Sequence, residues 1–409
     1  MATVRPLCSS RAQSEPRRPL RGGKYVRAIR HLLKPLHPIA DCPNRRLHFD
    51  EYVCYVLLHL FNPELDSLRV LQWKSREQTF QRHFGLPAFS LGSFSEAGAA
   101  FPAAHLPPIL QQVFDHLDPR PSHRELLQLK KGVVAFDGSL LSGPATMDWA
   151  QWRPGERAAK MHTFYDVSRG APRIAYLTDA NTDERQVLRE HLDEKLIYLV
   201  DRGLRDYSLF NDILQQNSSF VARTPINLSY EVRGTRPVSP EAEEAGVLKD
   251  QIIRLTSEQC PALKERELRL IQIHVPRSPT IGPSHKHVSR KCTSIRVPAS
   301  DPTLVLLTDL LDLDVLLMAL LYRCRWQIET FFCWYKLILN ADHLLSQRYN
   351  GLQILIWCAL LATLLLTHWA GARPSKYRLR LLCANLMGTL TDRELEDQLR
   401  SMAEREKNS

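Results

Sequence analysis

Apolar positions recur with two different periods along the chain, and the change of period divides it. Between residues 25 and 125 the spacing is helical: "FDEYVCYVLLHLF" and "LPPILQQVFDHL" both bring apolar side chains to one face every three or four residues. The stretch between them, "SLRVLQWKSREQTFQRHFGLPAFSLGSFSEA", predicts a helix, a break from Gly85 to Pro87, and a second helix capped by Ser90. That layout suits a helix-turn-helix, and it also suits the plain packing of short helices.

From residue 131 the period shortens. "GVVAF", "RIAYLTD" and "LIYLV" read as strands bounded by turn residues, with the helix candidate "DERQVLREHL" between the last two. Their continuous apolar runs predict strands buried on both faces, hence an α/β core. Residues 222–300 change character again, with many prolines and polar breaks around the strand candidates "QIIRL" and "LRLIQIHV". They read as an inserted, strand-rich lobe. "TLVLL" at 303–307 resumes the core, and helices follow to a frayed "REKNS". The longest apolar run, "ILIWCALLATLLL" from Ile354 to Leu366, is shorter than the roughly 20 residues a bilayer span needs. It predicts a core or oligomer-interface helix, and no membrane partner. No internal repeat is evident.

Composition narrows this picture only a little. Charged residues at 24% and hydrophobic residues at 44% of 409 are ordinary for a globular chain of two or three domains. The excess of Lys and Arg leaves +10, which fits a partner rich in phosphate and also fits a generic solvated basic surface. Nine cysteines, scattered and without a CxxC pair, argue against a disulfide framework and for a reducing compartment. The first 23 residues carry five arginines and one acid; they read as a disordered basic arm, with a transit peptide as the alternative. No secretory signal is read.

Chemistry enters where strands end. "VVAFDGS" finishes at Asp137 and "LIYLVDRG" at Asp201, so each apolar run delivers a carboxylate to the lip of a buried sheet, where α/β proteins bind ligands. If the two strands are neighbours the carboxylates converge, and they repel unless one is protonated or a cation lies between them. Mg²⁺ suits such hard oxygen donors. The alternative is that each Asp caps its own turn, as Asp179 and Asp309 are expected to do after "IAYLT" and "LVLLT".

"LLYRCRWQIETFFCWYKLIL", residues 320–339, reads as a buried helix with charges in it. With Tyr322 set at zero, Arg325 falls at about 300°, Glu329 at about 340° and Lys336 at about 320°. The four form one stripe about 21 Å long. One acid among two cations and a phenol can hold a metal beside a phosphate backbone, Arg by forking onto oxygens and Lys as a point charge. A solvated face laced by an Arg325–Glu329 pair is the other reading.

These residues match Y-x2-R-x3-E-x6-K without departure, and this resembles the signature of bacterial insertion-sequence transposases with a DDE domain. "FDGS", "AAKMHTFYD" (158–166) and "YLVDRGLRDYSLF" (198–210) agree with it, so the resemblance runs over about residues 130–365. It implies a ribonuclease-H-like catalytic core with an inserted β-rich lobe, flanked by helical N- and C-terminal regions. The implied layout is a basic arm at 1–24, a DNA-binding helical region at 25–125, a catalytic domain at 126–345 with its lobe at 222–300, and a helical region at 346–409. Asp137, Asp201 and Glu329 are then the catalytic acids that hold two Mg²⁺ (or Mn²⁺) ions. Their separations are 64 and 128 residues, the longer gap leaving room for the lobe. Tyr322, Arg325 and Lys336 are implied to contact the DNA backbone. Lys160 and His162 match a family word as further DNA-binding candidates, although His162 reads more simply as a structural strand histidine.

The implied activity is cleavage at the ends of the element, in double-stranded DNA bearing terminal inverted repeats, followed by transfer of the 3′-hydroxyl into target DNA, with a hairpin intermediate in the related group. The implied assembly is a homodimer in a synaptic complex, and the implied location is the bacterial cytoplasm, at the nucleoid. Two rivals stay open: a catalytically silent repressor derived from such an enzyme, and a ribonuclease-H-fold nuclease without strand transfer. Trp326 and Trp334 could stack a flipped base or simply pack in the core. His285, His287 and Cys292 in "HKHVSRKC" fit no standard zinc spacing and read as a DNA-facing loop.

Overall fold

The computed structural model describes residues 23–62, 65, 67–119, 124–256, 261–275, 303–339, 344–370, 376–386 and 389–407. Nearly all of the basic arm, the His285–Cys292 cluster and the final two residues lie outside this set.

Six helices come first: α1 (Gly23–Leu33), α2 (Phe49–Phe61), α3 (Leu68–Ser75), α4 (Gln78–Phe84), α5 (Leu91–Ala100) and α6 (Leu106–Asp115). α2 coincides with "FDEYVCYVLLHLF"; the Glu51 carboxylate accepts the His48 N–H at 2.9 Å and fastens its first turn. The single helix expected before Gly85 is two helices, because Glu77 adopts extended backbone and restarts the chain as the N-cap of α4. Gly85, at φ 60°, ends α4 in the left-handed conformation that favours glycine, and Arg30 donates to the freed carbonyls of Phe84 and Gly85. Ser90 caps α5 as expected, its Oγ accepting the Ser93 N–H at 3.0 Å.

The described strands form one sheet: β1 (Gly132–Gly143), β2 (Gln151–Arg153), β3 (Glu156–Asp166), β4 (Ala171–Asp179), β5 (Leu196–Val200), β6 (Ser219–Thr224), β7 (Tyr230–Thr235), β8 (Val247–Leu255), β9 (Leu268–His274) and β10 (Thr303–Thr308). Their order is β2-β3-β1-β5-β6-β10-β9-β8-β7, with β4 also on β3. β1–β5 and β5–β6 are parallel, and every other pair is antiparallel. The stretch between β6 and β10, where a lobe is expected from residue 222, holds three strands among its described residues. Its strands β7–β9 continue the central sheet through β10.

Side chains alternate between two covered faces. Val134, Phe136, Tyr198, Val200 and Phe220 meet Val187 and Leu188 of α7 (Glu184–Glu190) and Leu209, Phe210 and Ile213 of α8 (Tyr207–Gln215). The short helices α9 (Pro240–Glu244) and α10 (Pro261–Lys264) pack on β8. Val133, Ala135, Leu199 and Val221 point the other way. They join a core shared with the N-terminal helices and with α11 (Val315–Cys324), α12 (Trp326–Leu339) and α13 (Tyr349–Ala370). α14 (Lys376–Leu386) and α15 (Asp392–Lys407) pack on each other, and α15 carries helix through the first three residues of "REKNS".

α13 outgrows the apolar run that announced it. Tyr349–His368 is long and apolar enough to cross a membrane, and most of it is buried within the chain. It lies against α2, α5, α6, α12 and β4. The Thr363 and Thr367 hydroxyls are satisfied inside it by donating to the carbonyls four residues back, at 2.8 Å. At its start, Asn350 ties the two ends of the protein together: Nδ2 donates to the Gly98 and Phe101 carbonyls at 2.8 and 2.7 Å, and Oδ1 accepts the Ala103 N–H at 3.1 Å. The N-terminal helices therefore share a core with elements on both sides of the boundary expected at 345/346.

Candidate active site

Register places the two strand-ending acids. β1 and β5 pair in parallel with partners 64 residues apart, from Gly132↔Leu196 to Ala135↔Leu199. Asp137 and Asp201 are separated by the same 64, so they stand level, two residues beyond the last pair. The β5–β6 ladder runs with an offset of 22, from Ile197↔Ser219 to Val200↔Ala222, which brings Arg223 level with Asp201. The Arg223 Nη1 lies 3.8 Å from the Asp201 Oδ1. All three share the parity of Ala135, Leu199 and Val221, so they project on the side that α11 and α12 cover.

The third acid arrives on a broken helix. The continuous helix expected over 320–339 is interrupted at Arg325, whose N–H bonds the Tyr322 carbonyl at 3.1 Å and whose carbonyl accepts the Ile328 N–H at 3.2 Å. These are three-residue spacings that tighten the chain between α11 and α12. The stripe survives the break. The Tyr322 hydroxyl donates to Asp201 Oδ1 at 3.2 Å. The Arg325 guanidinium stands among three acids: its Nη2 donates to Glu329 Oε1 at 2.7 Å and lies 3.9 Å from Asp201 Oδ2, and its Nη1 lies 3.6 Å from Asp137 Oδ2. The Arg325–Glu329 pair thus forms at i,i+4, but the Arg325 side chain is only 4% exposed, so the face is not solvated. The sequence reading turned Arg325 toward phosphate; here it faces the acids.

The electrostatics describe a cluster in need of positive charge. Burial lifts the Asp137 carboxyl from 3.8 to about 7; Arg325 and the Gly138 N–H oppose the lift, and Glu184 and Glu329 add to it. Burial also raises Glu329, against the hydrogen bond and charge of Arg325 and with the charge of Asp201. Burial alone would lower Arg325, yet Tyr322, Asp201, Asp137 and Glu329 together hold it above its ordinary value. Three carboxylates without thiol or imidazole are the donor set of a hard divalent cation, so the residues fit the implied ions in kind. No three His, Cys, Asp or Glu among the described residues are placed to hold an ion as they stand, and the Arg325 guanidinium lies among the three acids. Its Nε and Nη1 are buried without hydrogen-bond partners, so it fills the space without satisfying its own donors.

The remaining candidates sort by distance from this centre. Lys336 lies two turns beyond Glu329 on α12, half-buried. Lys160, on β3, donates to the Thr182 carbonyl at 3.0 Å and lies 3.5 Å from Glu184. His162 is fully buried beside Phe136; its Nε2 is 2.8 Å from the Thr178 Oγ1, which donates onward to the Asp179 carbonyl. The contact ties β3 to β4. Trp334 is a core residue, whereas Trp326 is half-buried with its ring 5.8 Å from the Arg325 guanidinium. Asp179 caps its turn through the Asn181 and Thr182 N–H groups, as expected. Asp309 does not cap a turn with its side chain; it accepts the Phe220 N–H of β6 at 2.9 Å.

Two charged neighbours of the site escaped the sequence reading. Arg223 sits in "SFVART", a strand without the long apolar run that marks β1 and β5. Glu184 heads α7 and packs against Gly138: a Cβ there would sit 2.6 Å from the Glu184 Oε1. Only a glycine beside Asp137 lets this fourth carboxylate approach so closely. Among the described cysteines, Cys42, Cys54 and Cys358 are free thiols, and Cys333 is disulfide-bonded.

Sheet and site together define an α/β protein whose parallel strands and one covering helix gather three acids at a sheet edge. The family profile for the transposase DDE domain matches residues 128–365, and the chain belongs to that family. It is 26% identical over 220 residues to "Putative transposase y4zB" of Sinorhizobium fredii, covering 53% of this chain and 55% of the relative, so it spans about half that relative's length. It is 21% identical over 304 residues to "Probable transposase for insertion sequence element IS5377" of Geobacillus stearothermophilus, covering 72% of each. Among solved structures, a piggyBac transposase synaptic complex with hairpin DNA aligns over 92% of this chain and 80% of its own, at 12% identity and a TM-score of 0.38. That overlap is too distant to carry weight.

Proposed function

We propose that this chain is the transposase of an insertion sequence. It binds the terminal inverted repeats of its element in double-stranded DNA, cuts at the element ends, and joins the 3′-hydroxyl ends to target DNA. One observation carries the reading: acids from β1, β5 and α12, far apart in sequence, all reach the same buried guanidinium. The five-stranded part β4-β3-β1-β5-β6, antiparallel up to β1 and parallel beyond it, with helices on both faces, supports a ribonuclease-H-like core.

In this reading Asp137, Asp201 and Glu329 are the catalytic acids and would hold two Mg²⁺ or Mn²⁺ ions. Bound there, the ions would supply Lewis-acid stabilisation of the attacking and leaving oxygens of an in-line phosphoryl transfer. The protein's own groups do the positioning. Tyr322 orients Asp201 by donating its hydroxyl to Oδ1, and the Arg223 guanidinium stands 3.8 Å from that same oxygen. The apolar faces of β1 and β5 keep Asp137 in a low-dielectric lip, where charge interactions are strong. Lys336, Lys160 and Arg325 supply cations for the DNA backbone, while His162 supports the strand beneath. The protein acts as a homodimer in its synaptic complex, in the bacterial cytoplasm at the nucleoid. The burial of α13 supports a life off the membrane.

The test is Glu329→Gln. The expected result is intact binding to inverted-repeat DNA and loss of Mg²⁺-dependent cleavage. Continued cutting by the variant would remove the assignment. If the unaltered protein binds repeats but never nicks them with Mg²⁺ or Mn²⁺, it is a repressor; if it cuts without joined products, it is a nuclease.

A further inference from the structure

We infer that Arg325 is an internal counter-ion of the acid cluster: it offsets part of the charge of Asp137, Asp201 and Glu329 and withdraws when divalent cations enter. The inference rests on the proposed reading of those acids as ion ligands.

Three features of the geometry support withdrawal rather than permanent residence. First, the guanidinium is loosely held for so buried a group. It makes one short hydrogen bond, to Glu329 at 2.7 Å, while Asp137 and Asp201 stand at 3.6 and 3.9 Å. Its Nε and Nη1 have no hydrogen-bond partner. A buried structural Arg is normally satisfied at every donor, because stranded donors cost stability. The Arg269–Asp250 pair elsewhere in this sheet, bidentate at 2.8 and 2.6 Å, shows how the chain builds one meant to stay. Second, Arg325 is the residue at which α11 gives way to α12, so its backbone can turn without breaking a continuous helix. Third, the Tyr322 and Trp326 rings flank the guanidinium carbon at 5.9 and 5.8 Å where it now stands, a support for its charge that does not depend on the acids.

The consequence is a built-in interlock. Without cations the three acids share a single guanidinium, which offsets only part of their charge. Cation entry sets the guanidinium free, and a fork that no longer grips carboxylates is available for phosphate oxygens. The two roles that the residue could have, partner of acids and partner of DNA, become successive states of one side chain.

The test uses the full chain stripped with EDTA, with Mn²⁺ alone as probe. Binding is followed by electron paramagnetic resonance, and the melting temperature is taken with and without the ion. Removing the positive charge that stands among Asp137, Asp201 and Glu329 should tighten Mn²⁺ binding at least about tenfold in Arg325→Gln. Arg325→Lys, which keeps a shorter cation, should fall between. Arg325→Gln should melt lower than the unaltered protein in EDTA and regain most of the difference in Mn²⁺. If Arg325→Gln does not fold without ions, the Arg325→Lys comparison decides alone. Equal or weaker Mn²⁺ binding in both variants, with binding lost in Asp137→Asn, would overturn the counter-ion role and leave the acids standing as ligands. Absence of Mn²⁺ binding in the unaltered protein and both variants would overturn the ligand reading as well.

Discussion

Replacing Arg269 with Met should unsettle the protein far from any DNA. Arg269 is 1% exposed on β9, its Nε and Nη2 gripping the two oxygens of Asp250, which is 3% exposed. Its Nη1 donates to the carbonyls of Leu311 and Leu313, in the loop that leads to the Asp314 cap of α11. Breaking a buried pair by removing one partner costs about 3–5 kcal/mol, because a charge is left uncompensated. Arg236 lies 3.9 Å from the Asp250 Oδ2 and is exposed enough to move in, which places the expected loss at the lower end, about 3 kcal/mol. In the double variant with Asp250→Leu no charge is stranded. The Leu313 carbonyl loses its donor while Leu311 keeps the Arg236 Nη1, so the double variant should lose about 1 kcal/mol and stand above the single one. Urea unfolding followed by tryptophan fluorescence should order the midpoints as unaltered, double, single. A single variant within about 1 kcal/mol of the unaltered protein, or a double variant below the single, would refute the assignment of an uncompensated carboxylate.

His162 and Gly138 give two further expectations. Burial, with the charge of Lys160, lowers His162 from 6.5 to about 4, so the unfolded chain binds more protons between those values. Its contribution to stability is complete above pH 6.5 and is lost as pH falls toward 4, about 3 kcal/mol in all. His162→Phe should flatten the urea midpoint across that window, and an unchanged slope would sink the claim. Gly138→Ala must displace the Glu184 carboxylate, the tip of a flexible side chain, so it should cost no more than about 1 kcal/mol. With Glu184 moved away, the Asp137 carboxyl should titrate below about 7 by carbon NMR; an unmoved titration would show that Glu184 does not act on it.

Much of this site was legible in the order of residues because its two strands are so plain. "VVAFD" and "LIYLVD" are apolar runs that stop at an acid, and their 64-residue offset is the register of the ladder itself. What stayed hidden has a common cause. β3 carries Glu156, Arg157, Lys160 and His162 and so lacks an apolar run, yet it is the strand that pairs with β1 along most of its length. β6 lay unread in "SFVART", and Arg223 with it. Side-chain phase around a helix told which residues of 320–339 share a stripe, but phase cannot say what lies opposite. The stripe faces carboxylates, and only the sheet supplies those.

The seam at Asn350 has a bearing on how the chain is made. The carbonyls of Gly98 and Phe101 and the N–H of Ala103 wait for a side chain about 250 residues later in synthesis. The apolar sides of α2, α5 and α6 wait for α13 itself. Until that helix leaves the ribosome the leading helices have no partner to close over them, so a chain halted before residue 349 exposes a ready-made sticky surface. Ribosome stalling late in the message would therefore yield aggregates rather than soluble fragments.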